Sequence, residues 1–162
     1  TTINVSGYGT LSIRMQNPNW IQKQTIKEVS VDVFWIGYQG DDKDYFETAP
    51  LAAGTTLADQ QFTLYPKDTL DTTVDTDFEH TGVHNVDPIW LDFVRRCLNQ
   101  DEESRHMRLL FRVSLVVRTG WWGERRRRYL LPQDLPCPMT TTQIIDLFRS
   151  MNLPPPDQSQ LN

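Results

Sequence analysis

Two tryptophans followed by four arginines form the most chemically pointed stretch of this chain. They are Trp121, Trp122, Arg125, Arg126, Arg127 and Arg128, closed by Tyr129. The arginine guanidinium is a planar fork of donors that suits phosphate or carboxylate, and tryptophan favours the boundary between water and lipid. Large aromatic surface is rarely left exposed without something to bind. Side chains of an extended segment point alternately to its two faces, so at least two of the four arginines face away from any core. Three readings stay open. The run blunts a sheet edge with charge while the tryptophans fold back onto the sheet. It meets anionic lipid headgroups. Or it meets an acidic protein surface, for which residues 41–44 and 68–79 of a neighbouring copy offer a match.

Other residue groups are weaker candidates for chemistry. His80 and His84, near Asp75, Asp77 and Glu79, have a loosely metal-like spacing. A zinc site needs closed ligand geometry and supporting hydrogen bonds, so a solvated acidic loop is the better reading. The Asp75, Asp77, Glu79 run lacks the glycine and the distal glutamate of a calcium loop. No serine sits in a nucleophile elbow, and no glycine-rich loop cradles phosphate. The expectation is a protein that is not an enzyme and holds no cofactor or metal. Cys97 and Cys137 are the only cysteines. Their number alone leaves open one intramolecular bridge or two buried thiols. A bridge would favour an oxidising compartment and stabilise by about 4 kcal/mol through loop closure. Asn4-Val5-Ser6 is a glycosylation sequon, which makes Asn4 the candidate attachment point of a glycoprotein.

These groups need elements to hold them. Residues 107–118 alternate with period two, placing Leu109, Phe111, Val113, Leu115 and Val117 on one face of a strand. Leu110 and Val116 share the other face with Arg112, Ser114 and Arg118, as suits a central strand. Before it, Ile89, Trp90, Phe93, Val94, Cys97 and Leu98 recur at helical spacing. Asp87 caps that helix and Pro88 suits its first position. Residues 119–123 are a hairpin tip, and 124–131 return as a strand.

Earlier in the chain, Leu11, Ile13 and Met15 alternate, as do Val29, Val31, Val33 and Trp35. Asn17-Pro18-Asn19 is a turn between them. Residues 37–44 read as a polar turn, 45–48 as a short strand, and 55–65 as a strand after breaks at Pro50 and Gly54. Residues 66–85, poor in large apolar side chains, read as a sheet edge or an ordered loop. Thr140 and Gln143 offer a capping box for a last helix bearing Ile144, Ile145, Phe148 and Met151 on one face. The core expected from these strands joins Leu109, Phe111, Val113, Leu115, Val117, Val31, Val33, Trp35, Leu11 and Ile13.

The 162 residues suffice for one domain with a core. A net charge of −5 argues against general nucleic-acid binding. No apolar run reaches the roughly 20 residues needed to span a bilayer. The chain starts with Thr1 and carries no signal peptide, so it reads as a processed or excised fragment. Short strands punctuated by turns indicate a β-sandwich.

The order of Met15-Gln16-Asn17-Pro18-Asn19, Tyr38-Gln39-Gly40, Ala49-Pro50 and Gly54-Thr55-Thr56-Leu57 resembles the late-embryogenesis-abundant group 2 domain. The C-terminal half resembles the lumenal domain of the transmembrane protein 106 family, where a helix ends in a cysteine and a second cysteine closes the last strand. The resemblance spans about residues 8–139. It implies a mainly β, immunoglobulin- or fibronectin-III-like antiparallel sandwich, with a helix inserted and another at the C-terminus. It also implies that Cys97 and Cys137 are bridged, and that a transmembrane helix precedes this fragment. The expected organisation is a sandwich over 1–139, a helix over 140–153 and a disordered tail over 154–162.

The function expected is that of a non-enzymatic binding or interaction domain of a membrane-anchored protein. Its place is lumenal (endolysosome, ER or vacuole) or extracellular. Its partners are proteins, including further copies of itself, or an anionic lipid, and not nucleic acid. Two alternatives are a lipid-binding or lipid-transfer module, and a structural subunit whose C-terminal helix docks on another chain.

Overall fold

Strand alternation and two helical stripes resolve into nine elements among the described residues, which in this computed structural model are 2–36, 51–55, 60–99, 101, 103, 105–120 and 123–155. In chain order they are β1 (Thr2–Gln16), β2 (Gln24–Trp35), β3 (Ala52–Thr55), β4 (Phe62–Leu64), β5 (Thr69–Val83), α1 (Pro88–Cys97), β6 (His106–Thr119), β7 (Glu124–Pro136) and α2 (Thr141–Ser150). The protein is mainly β and antiparallel, with one helix between strands and one near the C-terminus, as expected. The turn at 37–44, the strand at 45–48, Ala49, Pro50, Leu57 and the tail beyond 155 lie outside the described residues.

Pairing follows the order β1-β5-β3-β2-β6-β7. β3 and β4 share one edge of β2, and β6 lines its other edge with Val31 opposite Val113. β6 therefore has a strand on each side, as its two-faced apolar pattern predicts. β7 is an edge strand, which is why it tolerates Pro132 and Pro136, residues that cannot donate to a ladder. Residues from β1, at one end of this order, and from β6, next to the other end, pack on one core. Ile26, Val29, Val31, Val33, Leu64, Val74, Val113 and Leu115 are buried together, with Leu11, Ile13 and Met15 of β1 against them. The sheet therefore curls over on itself.

Three expectations are corrected. Residues 69–83 are neither loop nor edge but a 15-residue strand between β1 and β3. Leu70, Val74 and Phe78 face inward, while Asp71, Asp75, Asp77 and Glu79 are exposed on the outer face. The described part of 55–65 is divided, with Thr55 ending β3 and Phe62 starting β4, and Gly54 lies inside β3 opposite Val31. Trp35 leaves the common core to pack with Leu51 and Ile89, because α1 covers that end of the sheet.

Both helices cap the same end. Asp87 caps α1 by accepting from the Trp90 amide at 2.7 Å, and its Oδ1 also meets His80 Nε2 at 3.0 Å. That close approach requires Gly82, where a Cβ would come within 2.5 Å of the Asp87 carboxyl. α2 has the expected capping box between Thr140 and Gln143. Its Ile144 and Phe148 are buried with Trp90, Val94, Cys97 and Leu98 of the α1 region and with Ile3 of β1. Cys97 and Cys137 are disulfide-bonded, their Cα atoms 5.8 Å apart. Asp92, buried in α1, accepts from Trp35 Nε1 at 2.7 Å, Arg96 Nε at 2.8 Å and Arg95 Nη2 at 3.0 Å. One carboxylate thus ties α1 to β2, and its buried charge is compensated by two arginines.

Candidate binding cleft

The curl brings the two terminal strands of the sheet to opposite sides of one cleft. β1 and β7 are not paired to each other among the described residues, yet both line a cavity of about 710 Å³. That size falls in the range of roughly 300–1,000 Å³ usual for small-molecule sites. The floor is apolar, built from Ile13 and Met15 of β1, Ile26 of β2, Val113, Leu115 and Val117 of β6, and Leu131 of β7. One end of the cleft is lined by Pro18, Asn19, Gln24, Thr119 and Gly123.

Register explains where the arginines go. Arg125 lies opposite Val117, Arg127 opposite Leu115, and Tyr129 opposite Val113. These three face the cleft together with Leu131. Arg126 and Arg128 lie opposite Val116 and Ser114 and so point to the outer face. There Arg126 pairs with Glu28 at 3.6 Å. The run is thus split between two surfaces, not gathered into one patch. Arg125 and Arg127 form no ion pair with any described residue. Their stems can lie along the apolar wall while the guanidinium groups stay wet. The cleft consequently has an apolar floor and a basic margin.

At that lined end the turn of Asn17 is a buried knot. The residue is fully enclosed, and its Nδ2 donates to the carbonyls of Gln22 at 2.9 Å and Leu64 at 3.0 Å. Its Oδ1 accepts from the Asn19 amide at 3.0 Å. Its own amide donates to Asp68 O, and its carbonyl accepts from the Lys67 amide. Loop 17–23 is thereby tied to loop 65–68. The hairpin after β6 lies alongside, since a Cβ on Gly120 would come 3.7 Å from the Gln22 side chain. Gly120 and Gly123 have φ of +50° and +74°, a region that favours glycine.

The other sequence candidates fall apart from the cleft. Trp121 and Trp122 lie outside the described residues. Asn4 is exposed on β1, opposite Thr81. His80 faces Asp87, and the acidic side chains of β5 are spread along the opposite face of that strand, exposed. No group of three or more metal-ligating side chains occurs among the described residues. Sequence reading named Ile13 and Leu115 only as core and missed that they border a cleft. It also missed Asn17 as a buried residue, although an asparagine flanked by a proline turn was a signal that its amide serves backbone groups.

No helix among the described residues is long and apolar enough to cross a membrane. No family model, curated protein or solved structure matches this chain.

Proposed function

We propose that this chain is a non-enzymatic binding domain of a membrane-anchored protein, lumenal or extracellular, whose cleft takes the acyl chain of an anionic amphiphile. The observation that carries the reading is the position of Arg125 and Arg127. They extend the face of β7 that continues the apolar floor, beside Leu115 and Val117, without a described ion-pair partner. An apolar floor suits a hydrocarbon chain, and an unpaired guanidinium at its margin suits a carboxylate or phosphate head. The disulfide is compatible with an oxidising compartment. We read the curled sheet as the immunoglobulin-like sandwich of the late-embryogenesis-abundant group 2 type, in keeping with the bridged cysteines and the Asn17 turn. The structural-subunit alternative loses its motive, because the apolar face of α2 is already covered by α1 and Ile3.

Native mass spectrometry after mild extraction, followed by titration with a fluorescent fatty acid, tests the reading. A bound amphiphile, or saturable fatty-acid binding, is expected. Leu115→Trp should fill the cleft and abolish binding. Arg125→Gln with Arg127→Gln should weaken the fatty acid more than the matching uncharged alcohol. An empty protein that ignores the fatty acid sinks the proposal.

A further inference from the structure

We infer that the end of the molecule formed by loops 17–23 and 65–68 docks on the headgroup layer of an anionic lipid bilayer. This goes beyond the cleft reading and does not depend on it. Trp20 and Ile21 are adjacent in the first loop and are 80% and 89% exposed, and Tyr65 in the second is 62% exposed. Apolar and aromatic side chains this bare are costly in water, and tryptophan and tyrosine concentrate at membrane interfaces. They are not strays on a mobile thread. Asn17 fastens the two loops to each other through its backbone amide and carbonyl, which bond Asp68 and Lys67. Its side chain bonds Gln22 and Asn19 within the first loop and Leu64 at the end of β4. Lys67 Nζ stands 4.0 Å from the Trp20 ring centroid and donates to the Pro18 carbonyl at 2.9 Å.

Charge selects the kind of surface. Residues 17–23, 65–68 and 118–125 carry Lys23, Lys67, Arg118 and Arg125 against Asp68 and Glu124. Glu124 is already paired with Lys27. This end is therefore net positive on a chain whose net charge is −5. Of the acidic side chains of β5, Asp71 at this end is paired with Arg14, and Asp75, Asp77 and Glu79 lie farther along the strand, toward the helices. A focused basic patch around exposed aromatics fits anionic headgroups, where ionic attraction and aromatic anchoring add. The acidic remainder of the chain would be repelled by the same surface, which fixes the orientation. That orientation turns the Pro18–Asn19 end of the cleft toward the bilayer. The two helices and the disulfide are left at the far end of strands about 45 Å long, the span of a 15-residue strand.

Co-sedimentation of the chain with phosphatidylcholine vesicles, with and without phosphatidylserine, is the test. Binding is expected only with phosphatidylserine, and it should fall as salt screens the charges. Trp20→Ser with Ile21→Ser should weaken it by at least about tenfold. Lys23→Gln with Lys67→Gln should weaken it too and reduce its salt dependence. Both pairs are exposed, so unchanged thermal unfolding is the check that the fold survives. Fatty-acid titration of the same variants separates the two readings, since docking variants should still load the cleft. Equal binding to neutral vesicles, or full binding by the Trp20/Ile21 double variant, overturns the inference while leaving the cleft reading standing.

Discussion

The two ends of the curled sheet treat the same residue types in opposite ways. At the helix-capped end Trp90 and Trp35 are 6% and 4% exposed, and Ile144 is fully buried. At the tip Trp20 and Ile21 lie open to solvent. The difference is a second layer. α1 and α2 cover the ends of β1, β2 and β6, so that Trp90 stacks between Phe93 and Phe148 at 5.7 and 5.9 Å. Nothing described covers the tip, which is held by polar knots. Burial of a large apolar side chain contributes on the order of 1.5–3 kcal/mol, which Trp35, Trp90 and Ile144 supply at the helix end and the exposed Trp20 and Ile21 do not supply at the tip. The tip is thereby free to be shaped for recognition, since its exposed side chains contribute little to folding. Asp92 and Asn17 show the same division in polar terms. The first binds a helix to the sheet through a carboxylate that accepts from Trp35 and is balanced by Arg95 and Arg96, and the second binds a loop to a loop through its backbone amide and carbonyl.

The largest expected effect lies at the capped end. Replacing Cys97 and Cys137 by alanine removes a link across 40 residues and should lower stability by about 4 kcal/mol on loop-closure grounds. Hydrogen exchange should then accelerate in α1 and α2 well before the tip responds. Unchanged thermal unfolding, or acceleration confined to the tip, would break the comparison.

A smaller effect is expected at the tip itself. Asn17→Ala leaves the carbonyls of Gln22 and Leu64 and the Asn19 amide without their partner, at a cost of about 1–3 kcal/mol. Exchange should rise in 17–23 and 65–68 while α1 and α2 keep their protection. A uniform loss across both ends would show that the tip is as integral to the core as the helices are.

How much of this was legible follows from the range of each signal. α1, α2 and β6 are encoded by neighbours a few residues apart: Asp87 with Pro88, Thr140 with Gln143, and the alternation from Leu109 to Val117. β2 was legible only from Val29 onward. A bulge between Lys27 and Ser30, with Glu28 at φ +53°, shifts the alternation, so that Ile26 and Val29 both face inward. β5 was misread because its inward face is partly threonine and its outward face acidic. Threonine is β-branched and suits a pleated sheet, and the aspartates cost little where they meet only solvent. The cleft was not legible at all. It depends on the sheet curling until Ile13 and Leu131 share one cavity, and no local pattern links residues that far apart in the chain. Cys97 and Cys137 could be paired from the resemblance, but their packing against Ile3, Val94 and Ile144 could not.

The smallest expected effect sharpens the contrast from the outer face of the sheet. Arg14 of β1 donates to Asp71 of β5, Nε to Oδ1 at 2.8 Å, near the tip end of both strands. That hydrogen bond, with the arginine's charge, holds the Asp71 carboxyl below its ordinary range. A carboxyl lowered in the folded state contributes stability above its unfolded pKa. That contribution fades as the pH falls through the folded value. Both side chains are largely exposed, so solvent screening leaves the contribution small. Asp71→Asn should therefore shift the unfolding temperature only slightly near neutral pH, and the difference should vanish in acid. Its side-chain carbon resonance in the parent chain should titrate at lower pH than that of a free aspartate. A large shift for Asp71→Asn, persisting in acid, would mean that this exposed pair contributes through packing. The tip half of the sheet would then resemble the capped end more than the division between them allows.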